Sequence, residues 1–195
     1  MQVHIAHTSA QRALIRELRL RVNLEELKKV YLPENDEEQD LKSTLLFIED
    51  KGQMIASLRC QFTFPAGQVL SKWGISFAGK HPKIAIVDRL VVLPEYRGGR
   101  AAYLLMLAIY RQALVEDAKL AFLECESHLL GLYKKFGFQA YREVDYSYGT
   151  RYQHFINPWD WPGLERAGSP FKIAYNAYME EVNAFIRLSE STIRA

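Results

Sequence analysis

The run Leu90-Val91-Val92-Leu93-Pro94-Glu95-Tyr96-Arg97-Gly98-Gly99-Arg100-Ala101-Ala102 constrains this chain more than any other stretch. An apolar segment stops at a proline, turns through two glycines and opens into Tyr103-Leu104-Leu105-Met106-Leu107-Ala108. A strand, a tight basic loop and a helix N-terminus therefore follow one another. Such a junction presents unpaired backbone N–H groups and the positive end of a helix dipole. An anion, most often a phosphate, is its natural occupant.

The surroundings suit that occupant. Residues 80–111 carry six bases (Lys80, Lys83, Arg89, Arg97, Arg100, Arg111) against two acids, Asp88 and Glu95. Residues 34–40 are the opposite, with Glu34, Asp36, Glu37, Glu38 and Asp40. The net charge of +2 and the lack of any reader motif argue against nucleic acid as a partner. The 195 residues, 49% hydrophobic and 25% charged, suit one core-bearing domain, or one with an appendage. Cys60 and Cys125 sit in apolar, strand-like runs and read as buried free thiols, with no metal-ligand spacing around them. No signal peptide and no 18-residue apolar run are visible, so the expectation is a cytoplasmic protein without a membrane span.

Periodicity predicts a helix over 10–30 with Ser9 as N-cap, a polar loop over 31–43, and a hairpin of strands 44–49 and 54–62. An irregular excursion follows over 64–82, then a strand over 83–93, a helix over 100–116 and a strand over 120–127. A helix over about 128–136 closes at Gly137, and residues 138–146 and 152–156 form a last hairpin. Pro158–Gly163 reads as an aromatic turn before an amphipathic helix over 171–190, whose stripe is Phe171, Ala174, Tyr178, Val182, Phe185 and Ile186. That helix either pairs subunits in a homodimer or covers the sheet. The order implies a mixed α/β domain with helices over a sheet, and the unit over 83–127 sets two strands parallel through a right-handed crossover.

This order and two motifs resemble the GCN5-related N-acetyltransferase (GNAT) superfamily. Leu90-x-Val92-x-Pro94-x-Tyr96-Arg97-Gly98 is similar to its strand and pyrophosphate loop. Leu132-Tyr133-Lys134-Lys135-Phe136-Gly137-Phe138 is similar to its second cofactor-side motif. The resemblance implies a mixed, mostly antiparallel sheet with a central parallel strand pair and helices on both faces. It implies an acyltransferase domain over 1–157, with 158–195 packed on it as a C-terminal aromatic turn and helix. It also implies acetyl-CoA or another acyl-CoA as donor, with an acetyl group moving to a small-molecule or peptide amine. Leu90, Val91 and Val92 would line the pantetheine arm, and Arg97, Gly98, Gly99, Arg100, Ala101 and Ala102 the phosphates. Arg100 stands where the family has glycine; it either contacts the anion or marks a donor held differently.

The N-terminal third resembles one branch, the acyl-homoserine-lactone and long-chain N-acyl amino acid synthases. It has an arginine-bearing helix (Arg19-Leu20-Arg21), an acidic loop, a hairpin ending at Arg59, and Asp88-Arg89-Leu90 on the central strand. That branch implies acyl carrier protein as an alternative donor partner. A third reading keeps the fold as a ligand-binding module without catalysis.

Transfer to an amine needs a base for the amine and an acid for the leaving thiolate. The family resemblance makes Tyr133 the acid, unless it only packs its helix on the sheet. Glu126 and Asp88 are the base candidates ahead of His128. Glu124 and Glu126 lie two apart and share a face, either at a site or as a half-solvated edge. Arg59, Asp36, Glu37, Asp40 and Glu124 are candidates to bind the acceptor, the arginine a carboxylate and the acids an ammonium; solvated strand-end and loop roles are the alternative. Tyr152, Trp159 and Trp161 either line an acyl pocket or pack the C-terminal extension.

Overall fold

The computed structural model describes residues 1–26 and 34–193. Seven strands form one sheet in the order β1-β2-β3-β4-β5-β7-β6. They are β1 (Gln2–Ile5), β2 (Thr44–Asp50), β3 (Gln53–Thr63), β4 (Ile84–Val92), β5 (Leu120–Cys125), β6 (Gln139–Tyr146) and β7 (Gly149–Ile156). Every neighbouring pair is antiparallel except β4 and β5. This is the mixed sheet the resemblance implies. β1 has no counterpart among the sequence expectations: four residues are too short for a periodic signal, and pairing with β2 makes the strand. The hairpin turn puts Lys51 and Gly52 at φ 50° and 78°, the two positive values that a two-residue turn between twisted strands needs.

One face of the sheet carries α4 (Ala101–Val115), α5 (Leu130–Phe136) and α7 (Phe171–Ile193). Ala56, Leu58, Cys60, Ala85, Val87, Leu123 and Cys125 point into this main core, so both thiols are buried as expected. α4 is nearly apolar all round because it is covered twice, by the sheet beneath and by α7 above. Tyr110 stacks on Phe171 with ring centroids 4.3 Å apart, and its hydroxyl donates to the Pro158 carbonyl at 2.7 Å. Trp159 and Trp161 pack on Tyr175, which gives them the structural role of the two alternatives. Asp160 caps a short helix, α6 (Trp161–Arg166), where a turn was expected. Phe185 is 73% exposed, so the apolar stripe of α7 leaves the core before that position, and the Ile186 side chain lies outside the described residues.

The opposite face carries α1 (Ser9–Leu20), α2 (Glu34–Leu41) and α3 (Gln68–Trp73). Ile15 packs on Leu45 and Phe47, and Trp73 on Ile84 and Phe122. The N-cap of α1 is Thr8 rather than Ser9, because Thr8 forms a reciprocal capping box with Gln11. α1 passes into a π-helical turn over Arg21–Glu26, and the remainder of the expected first helix lies outside the described residues. The acidic stretch is a helix rather than a loop: Asp36 and Asp40, one turn apart, turn inward together onto buried arginines. That tertiary charge pairing overrides a poor local pattern.

Candidate active site

β4 and β5 pair only over Ile84–Ile86 and Leu120–Phe122. Both strands continue, as Val87–Val92 and Leu123–Cys125, without pairing to each other, so a gap opens through the sheet. Backbone N–H and C=O groups along this gap have no strand partner on that side. A bulge sharpens the opening. Ser57 pairs with Val91 but Arg59 pairs with Asp88, so Arg89 and Leu90 together oppose one residue of β3. Arg89 takes φ 54°, a left-handed conformation uncommon for a side chain with a Cβ.

Beyond the gap β4 runs into a 3₁₀ turn at Pro94–Tyr96, then the Gly98-Gly99 loop and α4. Gly98 has φ 72°, and a Cβ on Gly99 would stand 3.3 Å from the Tyr96 carbonyl oxygen. Arg100 occupies the N-cap position of α4 with no side-chain cap bond, and its side chain is exposed. The first helical bond runs from Leu104 N–H to the Arg100 carbonyl, leaving the N–H groups of Ala101, Ala102 and Tyr103 ahead of the ladder. Arg97 is tied back to the Val92 carbonyl through Nε at 3.0 Å. This cradle fits a diphosphate: narrow backbone, oriented donors, and Arg100 free to swing over it.

On the helix side of the gap, Tyr133 of α5 is 6% exposed and packs on Phe138 and His154. Burial, helped by the nearby Cys125 thiol, pushes its phenol well above the ordinary tyrosine range, so it keeps its proton at neutral pH. His154 bonds the Tyr152 carbonyl through Nδ1 at 2.9 Å, and burial pushes its pKa down. An apolar cavity of about 20 Å³ lies beneath α4, lined by Ala85 and Val87 of β4, Ala121 of β5, and Met106 and Tyr110 of the helix. A cleft of about 570 Å³ opens between α5, α6 and the β6–β7 hairpin, with His154 and Lys134 in its wall.

On the other side of the gap stands a buried charge network. Asp40 accepts from Arg19 Nη1 with both oxygens at 2.9 Å, and from Arg59 Nη1 at 3.2 Å. Asp36 accepts from Arg59 Nη1 at 3.1 Å and from Arg89 Nε and Nη2 at 2.8 and 2.9 Å. Asp88 takes Arg59 in a two-pronged pair, Nε at 2.7 Å and Nη2 at 2.8 Å. Arg59 loses solvation by burial, but the Asp88 pair and the Asp36 and Asp40 charges outweigh that and hold it firmly protonated. The side chains of Arg19 and Asp40 are fully buried and that of Asp36 nearly so.

The structure thus brings Asp36, Asp40, Arg59 and Asp88 together, but spends all four on one another and on Arg19 and Arg89. Glu37 stays outside, exposed and 3.7 Å from Arg16. Glu124 stands on the unpaired part of β5, on the sheet face that carries α3, held by the Tyr146 hydroxyl at 3.1 Å and Lys72 at 3.3 Å. Glu126 lies past the end of β5, 3.2 Å from Arg151 and 3.7 Å from His128. Tyr146 and Tyr148 stack 4.9 Å apart beside Glu124, with Arg151 over the Tyr148 ring. Arg19, Arg89 and this tyrosine pair were not singled out as site residues; only the Arg19-Leu20-Arg21 and Asp88-Arg89 patterns pointed toward the first two.

The sequence model of the acetyltransferase (GNAT) family matches residues 12–138. No curated protein matches the chain in sequence. Among solved structures, the fold is similar to FeeM, an N-acyl amino acid synthase from uncultured soil microbes, with 14% identity and a TM-score of 0.64 over 83% of this chain and 97% of that one. It is similar to an acyl-CoA N-acyltransferase from Pseudomonas aeruginosa, with 20% identity and a TM-score of 0.60 over 80% of this chain and 99% of that one. It is also similar to an aminoglycoside 6′-N-acetyltransferase complexed with coenzyme A, with 10% identity and a TM-score of 0.60 over 81% and 97%. With the split parallel pair, the glycine turn into α4 and the family match over most of its length, the chain belongs to the GNAT acetyltransferase family.

Proposed function

We propose that the protein transfers a short acyl group, acetyl foremost, from a coenzyme A thioester to an amine. The small apolar cavity carries the choice of chain length. About 20 Å³ beneath α4, against the last paired residues of β4 and β5 where the gap begins, is room for roughly one methyl group, and the Tyr110–Phe171 stack walls it off. The Gly98–Ala102 loop and the α4 N-terminus hold the diphosphate, and Leu90–Val92 run beside the pantetheine arm. When bound, the donor supplies an activated carbonyl carbon with a thiolate leaving group.

The protein's own groups do the rest. Backbone N–H groups of β4 that face the gap stabilise negative charge on the carbonyl oxygen. The acceptor nitrogen enters from the charged side and forms the new C–N bond as the C–S bond breaks. Extending the Ile86–Phe122 register sets Asp88 of β4 opposite Glu124 of β5, so the amine sits between two carboxylates. Asp88 is fully engaged by Arg59 and positions it. Glu124, with weaker partners, takes the amine's proton. Glu126 is drawn off by Arg151, which leaves it a structural role. Tyr133, kept protonated by burial, gives its proton to the departing thiolate.

A second reading has a specific observation behind it. The six-residue network of Arg19, Asp36, Asp40, Arg59, Asp88 and Arg89 joins the elements that resemble the N-acyl amino acid synthase branch, and FeeM shares the fold. In that reading the donor is a carrier-protein thioester and the acceptor an amino acid. Thermal denaturation with acetyl-CoA, and thiol release from acetyl-CoA against a decanoyl carrier-protein thioester, separate the two. The short-chain reading expects stabilisation and turnover with acetyl-CoA; turnover with the carrier thioester alone rejects it.

A further inference from the structure

We propose that Asp36 is a positioning residue for the transfer: it clamps Arg89 in the left-handed conformation that creates the β4 bulge, and the bulge aims the Leu90 N–H into the gap. The inference rests on the acyl-transfer reading above for its consequence, though not for its geometry. Arg89 is one of three non-glycine residues with positive φ among the described residues; the other two, Lys51 and Asp117, lie in turns. A residue in a strand adopts that conformation only where its surroundings impose it. Here they do. Arg89 grips Asp36 through Nε and Nη2, and Asp36 is braced from behind by Arg59 at 3.1 Å and Arg19 at 3.5 Å. The preceding residue is fixed equally, Asp88 being held in two prongs by Arg59. Both residues leading into the bulge are therefore anchored to α1 and α2 through one buried network.

The bulge decides which N–H groups face the gap. Leu93 N–H donates to the Ile55 carbonyl of β3 at 2.9 Å. Strand alternation then turns the N–H groups of Leu90 and Val92 away from β3 and toward β5. Without the extra residue the pairing before the bulge would continue, Ser57 would face Leu90, and the Leu90 N–H would bond to β3 instead. The clamp sits on the acceptor side and its product on the donor side. Its loss should slow the chemical step without weakening the donor.

Arg89→Gly and Arg89→Ala separate conformation from charge. Both delete the guanidinium, but glycine enters the left-handed region freely and alanine does not. The probe is acetyl-CoA with hydroxylamine, a small nucleophile, uncharged at neutral pH, that needs no acceptor pocket. The expected result is a kcat at least tenfold higher for Arg89→Gly than for Arg89→Ala, with KM for acetyl-CoA alike within about twofold. Asp36→Asn should lose at least tenfold in kcat, and adding Arg89→Gly to it should recover rate. Equal rates for the two Arg89 variants, or no recovery in the double variant, overturn the clamp. Amide hydrogen exchange at Val91 and Leu93 reads the bulge without turnover: faster in Arg89→Ala and Asp36→Asn, near parent in Arg89→Gly. If the parent does not consume acetyl-CoA with hydroxylamine, the transfer reading fails while the exchange pattern still decides the clamp; uniform exchange across the variants overturns it.

Discussion

Removing Asp40 tests the buried network most severely. Asp40 is the main counter-charge of Arg19, both of its oxygens lying 2.9 Å from one guanidinium nitrogen, and neither side chain reaches solvent. Arg59, 3.2 Å away, keeps Asp88 and Asp36 and so loses less. Asp40→Ala therefore strands Arg19, with Asp36 at 3.5 Å as its remaining carboxylate neighbour. Breaking one partner of a buried pair costs about 3–5 kcal/mol. With a urea dependence of about 2–3 kcal/mol/M, the unfolding midpoint should fall by roughly 1–2.5 M. The pair Arg19→Met and Asp40→Leu removes both charges and fills the space; it should recover most of the loss, because a well-packed apolar replacement is often neutral or better. Urea denaturation followed by circular dichroism measures all three proteins. A loss under about 1 kcal/mol for Asp40→Ala, or a double variant no better than the single, would refute the claim that Asp40 is what compensates the buried Arg19 charge.

Other outcomes follow from the same geometry. Tyr133→Phe should lower kcat about a hundredfold or more while the acetyl-CoA dissociation constant, measured by calorimetry, stays put; equal rates would remove Tyr133 as the acid. Arg100→Glu should raise KM for acetyl-CoA about tenfold at low salt, the gap narrowing as ionic strength rises, since an exposed charge over a phosphate is screened. His154 is held neutral by burial, so its folded-state pKa lies below its unfolded one. Below about pH 6.5 the unfolded chain binds the proton that the folded one refuses, and stability falls as pH drops through that range. His154→Gln should flatten that fall in a melting series from pH 7.5 to 5. Cys125, pushed up by burial to about 11, should react with iodoacetamide in the native state far more slowly than in urea at pH 8.

Much of the fold was legible because it rests on local signals. Apolar runs, the turn at Lys51-Gly52 and the Gly98-Gly99 loop placed β2 to β5 and α4 within a few residues. The glycine turn into α4 and the placing of Tyr133 on α5 were readable for the same reason, each lying in a contiguous motif. The acceptor side was not, because long-range pairing makes it. An acidic run reads as solvated until Arg19, Arg59 and Arg89, from three separate elements, are seen to turn two of its carboxylates inward. The left-handed Arg89 has no sequence mark, since the signal for that conformation is glycine or asparagine. The gap itself comes from where β4 and β5 stop pairing, which strand composition does not encode.

The most direct test of the central claim is a mass spectrum. The protein is incubated with deuterium-labelled acetyl-CoA and a mixture of amino acids, polyamines and short peptides, with free thiol followed in parallel. The account predicts label in an amide of at least one amine, with thiol released in equal amount and both abolished by Glu124→Gln. Thiol release without any labelled amine, or no release while a long-chain carrier-protein thioester yields amide, would contradict it.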